Sequence, residues 1–503
     1  MTQPFYERKI SHRILEELGA RPGDSSWQYL RGQVEREGIP IPEEKKEEQT
    51  RVILRKADPF PILRLVERLG DLTGGEMFGY TDFFVFARLG PEELKQAETF
   101  PEVDRIFLDE PVTAFLEHSV ETTKARATWN TFGHGGEDIT WAVVDSGIND
   151  LHPHFTGPQA SPVRGDFPDW WYPGLTQREW FRQISDDGGS LPHIEAGYKN
   201  NTVVLRCHFI RGSPLHPHGS HIAGAIAGWK PGEGEAGVEI PESAKLETVS
   251  KIQGLAPLAR LVDLRVLDGD GKGQSSEAIK ALFLIRKLNE EAGRIVIAGA
   301  NLSLGYPYNP WDFGCGSSPL CEEADRLVHS GVLVVAAAGN SGYAEFQTLQ
   351  VGEAGAKAYR SQPLFNFQSI ADPGNGREVI TVGSTHRRHP HRWGPSFFSS
   401  KGPTGDGRLK PDLLAPGEKI TSCSSDFDAS SVPPRLYLRM SGTSQAAAQV
   451  SGALALFLSI HREFIGRPFE VKEKLLSSCT DLGRERYHQG HGLLDIFRLV
   501  QSV

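Results

Sequence analysis

The sequence predicts an α/β fold in which a mostly parallel sheet is flanked by helices, preceded by a small α+β domain at the N-terminal side. Two observations support this prediction. Beyond about residue 138, short and nearly continuous apolar runs alternate with helical stretches, as expected for strands that are buried on both faces. Before that point, strand and helix patterns alternate within a module of roughly 65 residues.

Each element of the N-terminal module has its own signal. Residues 51–55 have the composition of a strand, and apolar residues recur at i, i+3, i+4 and i+7 from Ile62, which predicts a helix with one apolar face. Residues 81–89 and 103–108 are predicted strands. Pro91 opens a helix between them, because proline suits the first turn of a helix.

The larger region repeats a strand and helix alternation. Its predicted strands are residues 139–144, 261–267, 295–298, 332–336 and 379–382, and its predicted helices are residues 276–288 and 322–329. Such an alternation implies right-handed βαβ units and a parallel sheet. In these folds the functional groups gather beyond the carboxyl ends of the strands.

The chain has 503 residues, enough for more than one domain. We predict an arm over 1–50, the α+β domain over 51–118 and one large domain over 119–503. Stretches near 157–201 and 229–251 interrupt the strand and helix pattern, so we interpret them as surface insertions in the large domain.

Composition excludes several classes of protein. The net charge is −10, so no overall field attracts nucleic acid or an anionic membrane. No apolar run approaches the ~18 residues of a membrane span, and the first residues lack the apolar core of a signal peptide. Five scattered cysteines do not have the pattern of a disulfide framework. A single disulfide between Cys315 and Cys321 is kept as an alternative. We therefore expect a cytoplasmic protein.

Three segments carry polar residues at positions where chemistry is expected. Asp145 follows a predicted strand, His218 begins a helix rich in Gly and Ala, and Ser444 stands at the entry to an Ala-rich helix. Each residue alone has an ordinary explanation as a turn former, a packing helix or an N-cap. Together they supply what a nucleophilic serine needs, which is a histidine base and a carboxylate that orients it.

Two segments of the sequence suggest metal sites as alternatives to this serine chemistry. His218 and His221 are spaced for a shared ion, but the segment lacks the Glu of a His-Glu-x-x-His helix and further ligands. Residues 268–273 invite comparison with a calcium loop, yet Lys272 and Ile279 occupy two ligand positions of an EF-hand. We therefore assign no metal ligands.

The segments that begin at Asp145, His218 and Ser441 resemble the signature motifs of subtilisin-like serine proteases, in that family's order of Asp, His and Ser. An α/β-hydrolase would have the order Ser, Asp/Glu, His. Further matching segments are residues 254–257, 301–305, 334–340, 398–403, 410–417 and 490–495. The similarity covers the chain from about residue 120 to 503.

The resemblance implies roles for individual residues. Ser444 would be the nucleophile, His218 the general base and then acid, and Asp145 the group that orients His218. The Asn340 amide and the Ser444 N–H would stabilise the oxyanion.

Substrate binding is implied in the same way. Ser303, Leu304 and Gly305 would pair with an extended peptide, and Ala337, Ala338 and Gly339 would form part of the pocket for the residue before the cut. This chain departs from the family behind the nucleophile, where Gln445, Ala448 and Gln449 replace the usual Met, Pro and His.

The α+β module at the N-terminal side resembles the family's inhibitory propeptide in size, position and element order. The resemblance implies a zymogen whose own N-terminal module is an inhibitor and which cuts itself within residues 108–126. The expected partner is a protein or peptide substrate. The chemistry needs no cofactor, and a structural calcium ion is compatible with the family but has no assignable ligands. The alternative is an inactive family member that binds peptides. The oligomeric state is not predicted.

Overall fold

The computed structural model describes residues 50–73, 77–80, 84–108, 117–155, 178, 181, 193–196, 202–210, 214–229, 252–308, 314–351, 357–425 and 436–503. The chain forms two compact units, Met1–Thr113 and Ala114–Val503. The second unit begins a little before the boundary predicted at residue 118. Almost all of the predicted arm, and most of both predicted insertions, lie outside the described residues.

The N-terminal unit contains a four-stranded antiparallel sheet and two helices among its described residues. The strands are β1 (Thr50–Lys56), β2 (Met77–Tyr80), β3 (Phe84–Leu89) and β4 (Val103–Leu108), in the order β2-β3-β1-β4, and the helices are α1 (Ile62–Thr73) and α2 (Pro91–Thr99). The prediction of a strand over 81–89 is correct only for β3; β2 was missed, and residues 81–83 lie outside the described part of the chain. Leu54, Leu65 and Ile106 are fully buried in the core of this unit.

The second unit contains the larger sheet. Its strands are β5 (Thr140–Asp145), β6 (His193–Ala196), β7 (Val203–His208), β8 (Arg260–Arg265), β9 (Gly299–Leu302), β11 (Leu333–Ala337), β15 (Ile380–His386) and β16 (Leu413–Glu418). They follow the order β16-β15-β11-β9-β5-β8-β7-β6, and every neighbouring pair is parallel except β6 and β7. The predicted α/β fold with a mostly parallel sheet is confirmed.

Helices cover both faces of this sheet. The described helices of the unit are α3 (Glu117–Thr122), α4 (Ala125–Phe132), α5 (Pro217–Ala227), α6 (Ser275–Ala292), α7 (Pro319–His329), α8 (Pro390–Trp393), α9 (Thr443–Ile460), α10 (Pro468–Ser478), α11 (Arg486–Gln489) and α12 (Ile496–Val500). Side chains alternate between faces along a strand, so Trp141 and Val143 pack with α5 and α9, while Ala142 and Val144 pack with α6 and α7.

The predicted strand over 295–298 is wrong in its position along the chain. The observed strand β9 starts at Gly299, which is paired with Trp141 of β5. A Cβ atom on Gly299 would lie 2.2 Å from the Trp141 ring, so a glycine is required at this pair. The apolar run continues from 295 to 302, and hydrophobicity alone cannot say where within such a run the ladder begins.

The described part of the second unit also contains three two-stranded sheets. They pair β10 (Tyr306–Pro307) with β14 (Ala371–Asp372), β12 (Tyr343–Val351) with β13 (Lys357–Phe365), and β17 (Ile420–Cys423) with β18 (Tyr437–Met440). The β12–β13 hairpin was not predicted. It begins three residues after Asn340, so an insertion lies beside the predicted site.

Candidate active site

Asp145 is the last residue of β5 and is almost fully buried. Its Oδ1 accepts a hydrogen bond from the Ser146 N–H at 2.8 Å. Because β5 lies in the middle of a parallel sheet, its carboxyl end opens toward the edge where the other strands also end. The fold therefore places a carboxylate at the mouth of the sheet.

His218 is the second residue of α5 and faces Asp145. Its Nδ1 lies 2.8 Å from Asp145 Oδ1 and 3.0 Å from Asp145 Oδ2. Burial by itself would lower the pKa of His218, but the charge and hydrogen bond of Asp145 outweigh it, so the pKa of His218 is raised above its usual value. This contact leaves Nε2 as the ring nitrogen that can exchange a proton with a substrate or nucleophile.

The start of α5 is locked against the turn after β5. The Gly219 N–H donates to Ser146 Oγ at 2.9 Å, and that hydroxyl donates to the His216 carbonyl at 3.0 Å. A Cβ atom on Gly219 would lie 2.4 Å from the Gly147 carbonyl oxygen. The two backbones therefore approach too closely for any side chain at position 219, which fixes the distance between His218 and Asp145.

Ser444 lies in the first turn of α9. In this conformation its hydroxyl donates to the Ser303 carbonyl at 3.1 Å rather than to His218. Ser444 and His218 line the same cavity, which has a volume of about 720 Å³. The structure therefore brings the three predicted residues to one cleft, with the Asp145–His218 contact made and the Ser444 hydroxyl turned toward Ser303.

Asn340 follows β11 at the same edge. Its side-chain oxygen accepts hydrogen bonds from the Thr443 N–H at 3.0 Å and the Thr443 hydroxyl at 3.1 Å. Thr443 Oγ1 in turn accepts from the Gly339 N–H at 3.0 Å. These bonds hold the amide oxygen of Asn340 at the start of α9, where the first N–H groups of a helix have no acceptor within the helix. A Cβ atom on Gly442 would lie 3.4 Å from Asn340 Nδ2 and 3.7 Å from the Ser444 nitrogen, so both nitrogens lie near the same point beside Gly442.

The predicted peptide-binding residues follow β9. Ser303, Leu304 and Gly305 all line the cavity, with Leu304 partly buried and Gly305 exposed. A Cβ atom on Gly305 would lie 2.6 Å from the Asp372 carbonyl oxygen. The backbone at Gly305 is therefore too close to that of Asp372 for a side chain at this position.

Of the three residues predicted to form the pocket wall, Ala337 and Gly339 line the cavity, whereas Ala338 is fully buried and does not. Ala338 follows the end of β11, and its N–H donates to the Val382 carbonyl of β15 at 3.0 Å. This bond draws residue 338 toward the neighbouring strand.

A buried polar network beside Ser444 was not predicted. Ser451 Oγ donates to Asn301 Oδ1 at 2.9 Å, and Asn301 Nδ2 donates to Ser303 Oγ at 2.8 Å. Ser303 Oγ donates to the Ser444 carbonyl at 2.9 Å. The network ties α9 to the strand end that carries the predicted peptide-binding residues. Serine and asparagine in a small-residue segment give no sequence signal for such a role.

Sequence reasoning also missed part of the cleft wall. Residues 270–275, which overlap the segment 268–273 that was compared with a calcium loop, line the cavity beside His216. Asp268 Oδ1 accepts from the Asp270 and Lys272 N–H groups at 2.9 and 2.8 Å, which shapes this loop. Further lining residues are Tyr306, Tyr308, Gln368, Ser369, Ile370 and Ala371.

The described residues contain no group of three or more His, Cys, Asp or Glu side chains that could hold a metal ion. His221 is buried, and its Nε2 lies 3.1 Å from the Ile420 carbonyl oxygen rather than beside a ligand partner. Burial lowers the pKa of His221 to about 3. All five cysteines are free and buried, so Cys315 and Cys321 do not form the loop closure that the sequence left open.

Among the described helices, none is long and apolar enough to span a membrane.

The comparisons with known proteins agree on one family. A family model described as the subtilase family matches residues 136–492. "Serine protease AprX" of Bacillus subtilis (strain 168) is 28% identical over 389 residues, covering 75% of this chain and 70% of the relative. "Subtilisin E" of the same organism is 26% identical over 411 residues, covering 82% and 78%. "Intracellular serine protease" of Paenibacillus polymyxa is 27% identical over 384 residues, covering 75% and 85%.

Proposed function

The chain belongs to the subtilase family and is a serine endopeptidase, and from that premise we propose that Asp145, His218 and Ser444 are its catalytic triad. The observation that carries the proposal is the contact of His218 Nδ1 with both carboxylate oxygens of buried Asp145. That contact selects the tautomer with a proton on Nδ1 and leaves Nε2 as the base.

In the proposed reaction, His218 Nε2 takes the proton of Ser444 Oγ as that oxygen attacks the peptide carbonyl carbon. Asp145 stabilises the imidazolium that forms. The Asn340 amide and the Ser444 N–H stabilise the oxyanion of the tetrahedral intermediate. His218 then gives its proton to the leaving amine, and an acyl group remains on Ser444. A water molecule, activated by His218, releases the acid and restores the serine.

The proposed attack requires a change at Ser444. Its hydroxyl donates to the Ser303 carbonyl, so it has to rotate about the Cα–Cβ bond to reach His218. The substrate backbone would pair with residues 303–305, which selects an extended peptide and leaves side-chain preference to the rest of the cleft. The proposed substrate class is therefore an extended segment of a protein or a peptide.

Replacement of the nucleophile tests this proposal. Ser444→Ala should abolish labelling by a fluorophosphonate probe and reduce kcat by about 10⁶-fold, the loss that this family's own enzymes show. Ser459→Ala, near the other end of α9, is the matched control and should keep both properties, since its hydroxyl donates only to the Leu456 carbonyl. A wild-type chain that neither labels nor cleaves peptides would favour the alternative of an inactive, peptide-binding family member.

We further propose that residues 51–118 inhibit the enzyme as a propeptide and are removed by self-cleavage within residues 108–126. The N-terminal unit supports this in one respect, because it has a sheet and a buried core of its own. The Ser444→Ala variant tests the point a second time: wild type should be shortened, with a new N-terminus in that range, and the variant should stay full length. If both stay full length in an active preparation, self-processing is wrong.

The proposed chemistry draws its base, nucleophile and oxyanion donors from side chains and backbone of this chain, so it requires no cofactor. A structural calcium ion remains a proposal to which no ligands are assigned, because the described residues contain no group of three or more side chains that could hold a metal ion. We also propose a cytoplasmic location. Five free and buried cysteines suit a reducing compartment, and one relative is named an intracellular serine protease.

A further inference from the structure

One residue of the second unit, Ser400, is bonded to both peptide groups that flank Asn340. The Ser400 N–H donates to the Gly339 carbonyl at 2.9 Å. The Ser400 hydroxyl oxygen accepts a hydrogen bond from the Ser341 N–H at 3.1 Å. The first bond holds the peptide plane between residues 339 and 340, and the second holds the plane between residues 340 and 341. Both planes beside the proposed oxyanion donor are therefore attached to the same residue.

These two planes determine the direction in which the Asn340 side chain leaves the backbone. A peptide group is planar, so the backbone at one residue has only two soft torsion angles, φ and ψ. Holding the planes on both sides of Asn340 restricts both angles, and with them the direction of its Cα–Cβ bond. The hydrogen bonds from Thr443 hold the other end of the same side chain, at its amide oxygen. Ser400 therefore holds the backbone end of a side chain whose amide end is held by Thr443.

The Ser400 hydroxyl fits closely against the turn after β11. Ser400 is fully buried. Gly339 has a φ of +102°, and a Cβ atom on it would lie 2.9 Å from Ser400 Oγ. This backbone conformation favours glycine, and the absence of a side chain at position 339 leaves the room that the hydroxyl occupies. Packing as well as hydrogen bonding therefore places this hydroxyl beside Asn340.

Ser400 lies in a segment that is anchored to the large sheet. The Ser384 N–H of β15 donates to Ser399 Oγ at 3.0 Å. On the other side of Ser400, the Lys401 N–H donates to Ser369 Oγ at 3.0 Å, and the Ser369 N–H donates to the Lys401 carbonyl at 3.0 Å. β15 is paired with β11, the strand that leads into the turn at residue 339. Neighbouring strands of one sheet therefore carry the turn and the segment that holds it.

Resting on the proposed function, we propose that Ser400 is a positioning residue for the oxyanion donor and acts on the reaction through Asn340. Oxyanion stabilisation depends on donors that are already in place when the charge develops, about 3 Å from the oxygen. Without the Ser400 hydroxyl, one of the two planes beside Asn340 is released and the amide is held less well. Binding of the ground-state peptide, which would pair with residues 303–305, does not use this hydroxyl. The expected loss is therefore in kcat and not in KM.

Ser400→Ala, made in the full chain and measured in two backgrounds, separates this role from a structural one. In the wild-type background it should lower kcat about tenfold and change KM less than about twofold, with kcat taken per site that a fluorophosphonate titrates. In the Asn340→Ala background, where the donor is already absent, the same substitution should lower kcat less than about twofold. The two effects should differ because a positioning residue acts only through the group that it positions.

Ser478→Ala is the matched control, because it also removes a buried hydroxyl. Ser478 is the last residue of α10, and its hydroxyl donates to the Leu475 carbonyl at 2.8 Å, so kcat should stay within about twofold in both backgrounds. Equal losses from Ser400→Ala in the two backgrounds, a rise in KM with kcat unchanged, or no loss in the wild-type background would each overturn this assignment alone. An inactive wild-type chain, or an Asn340→Ala variant with unchanged kcat, would overturn the proposed function or its oxyanion donor, and this assignment with it.

Discussion

The N-terminal unit and the α5–α9 region of the second unit hold their elements in place by different means. In the N-terminal unit, large side chains such as Leu54, Leu65 and Ile106 fill the space between helices and sheet. In the α5–α9 region, backbones approach closely: a Cβ atom would lie 2.4 Å from the Gly147 carbonyl oxygen at Gly219 and 3.1 Å from the Ile226 carbonyl oxygen at Gly452. Such close packing leaves the elements little room to shift.

The difference shows what each region is built to do. The proposed proton transfer and oxyanion stabilisation would depend on distances near 3 Å, and the elements that carry Asp145, His218 and Ser444 are positioned by backbone contact and by polar bonds. The N-terminal unit has no such requirement within its described residues, and ordinary packing is sufficient. Substitutions should therefore affect chemistry in one region and stability in the other.

Among the tests of this comparison, the largest effect is expected at Asn340. Asn340→Ala removes the proposed oxyanion donor and should reduce kcat by about 10²–10³-fold with little change in KM, a magnitude known from this family. The thermal midpoint should fall only slightly, because Asn340 is exposed and the variant loses the two hydrogen bonds that its oxygen accepts from Thr443. Asn340→Asp keeps the shape without the N–H₂ donor and should lose at least as much activity. A rise in KM with kcat unchanged would show that Asn340 binds the ground state instead, and would break the comparison.

The next largest effect is expected in the N-terminal unit, where a substitution should change stability and leave catalysis unchanged. Leu65→Ala empties a fully buried position on α1 and should destabilise that unit by about 3 kcal/mol, as large-to-small core changes do. Hydrogen exchange of residues 50–108 would measure it, and kcat of the mature enzyme should be unchanged. Leu63→Ala is the matched control, since Leu63 lies on the same helix and is 56% exposed. Similar losses of protection in both variants would contradict the assigned core.

The effect that is smallest over a single pH unit is a difference in acid sensitivity, about 1.4 kcal/mol for each histidine. Burial lowers the pKa of His221 to about 3 and of His152 to about 4, both in the second unit, whereas residues 50–108 contain no histidine. The unfolded chain takes up these protons below pH 6.5 and the folded one does not. The stability present above pH 6.5 should therefore fall as pH decreases from 6.5 toward 4, by about 1.4 kcal/mol per pH unit for each histidine.

His218 does not counteract this trend in that pH range. Its pKa is raised by Asp145, so its contribution is fully present below the unfolded pKa and is lost only as pH rises through the folded value. Guanidinium unfolding followed by tryptophan fluorescence reports mainly the second unit, since eight of the nine tryptophans lie after residue 113 and the ninth is Trp27. His221→Gln should flatten the acid slope, and His329→Gln, at an exposed position, should not. Identical slopes in His221→Gln and wild type would contradict the prediction.

The sequence alone predicted most of the architecture. Apolar runs located β5, β8, β11 and β15, because strands buried on both faces carry an almost continuous apolar signal. The triad candidates followed from three chemical types at strand and helix ends, together with the family's motif order. These signals are local in the chain, so one sequence is enough to detect them.

Tertiary structure decided what depends on contacts between distant segments. The position of β9 was set by Gly299 against Trp141, and Ala338 is buried beside β15, where its N–H donates to the Val382 carbonyl. The link from Ser451 through Asn301 to Ser303 joins residues 150 positions apart, as the Ser451 to Asn301 bond shows. The hydrophobic pattern and the motif order identify each segment as a strand, a helix or a motif. Tertiary packing decides which of these segments contact each other.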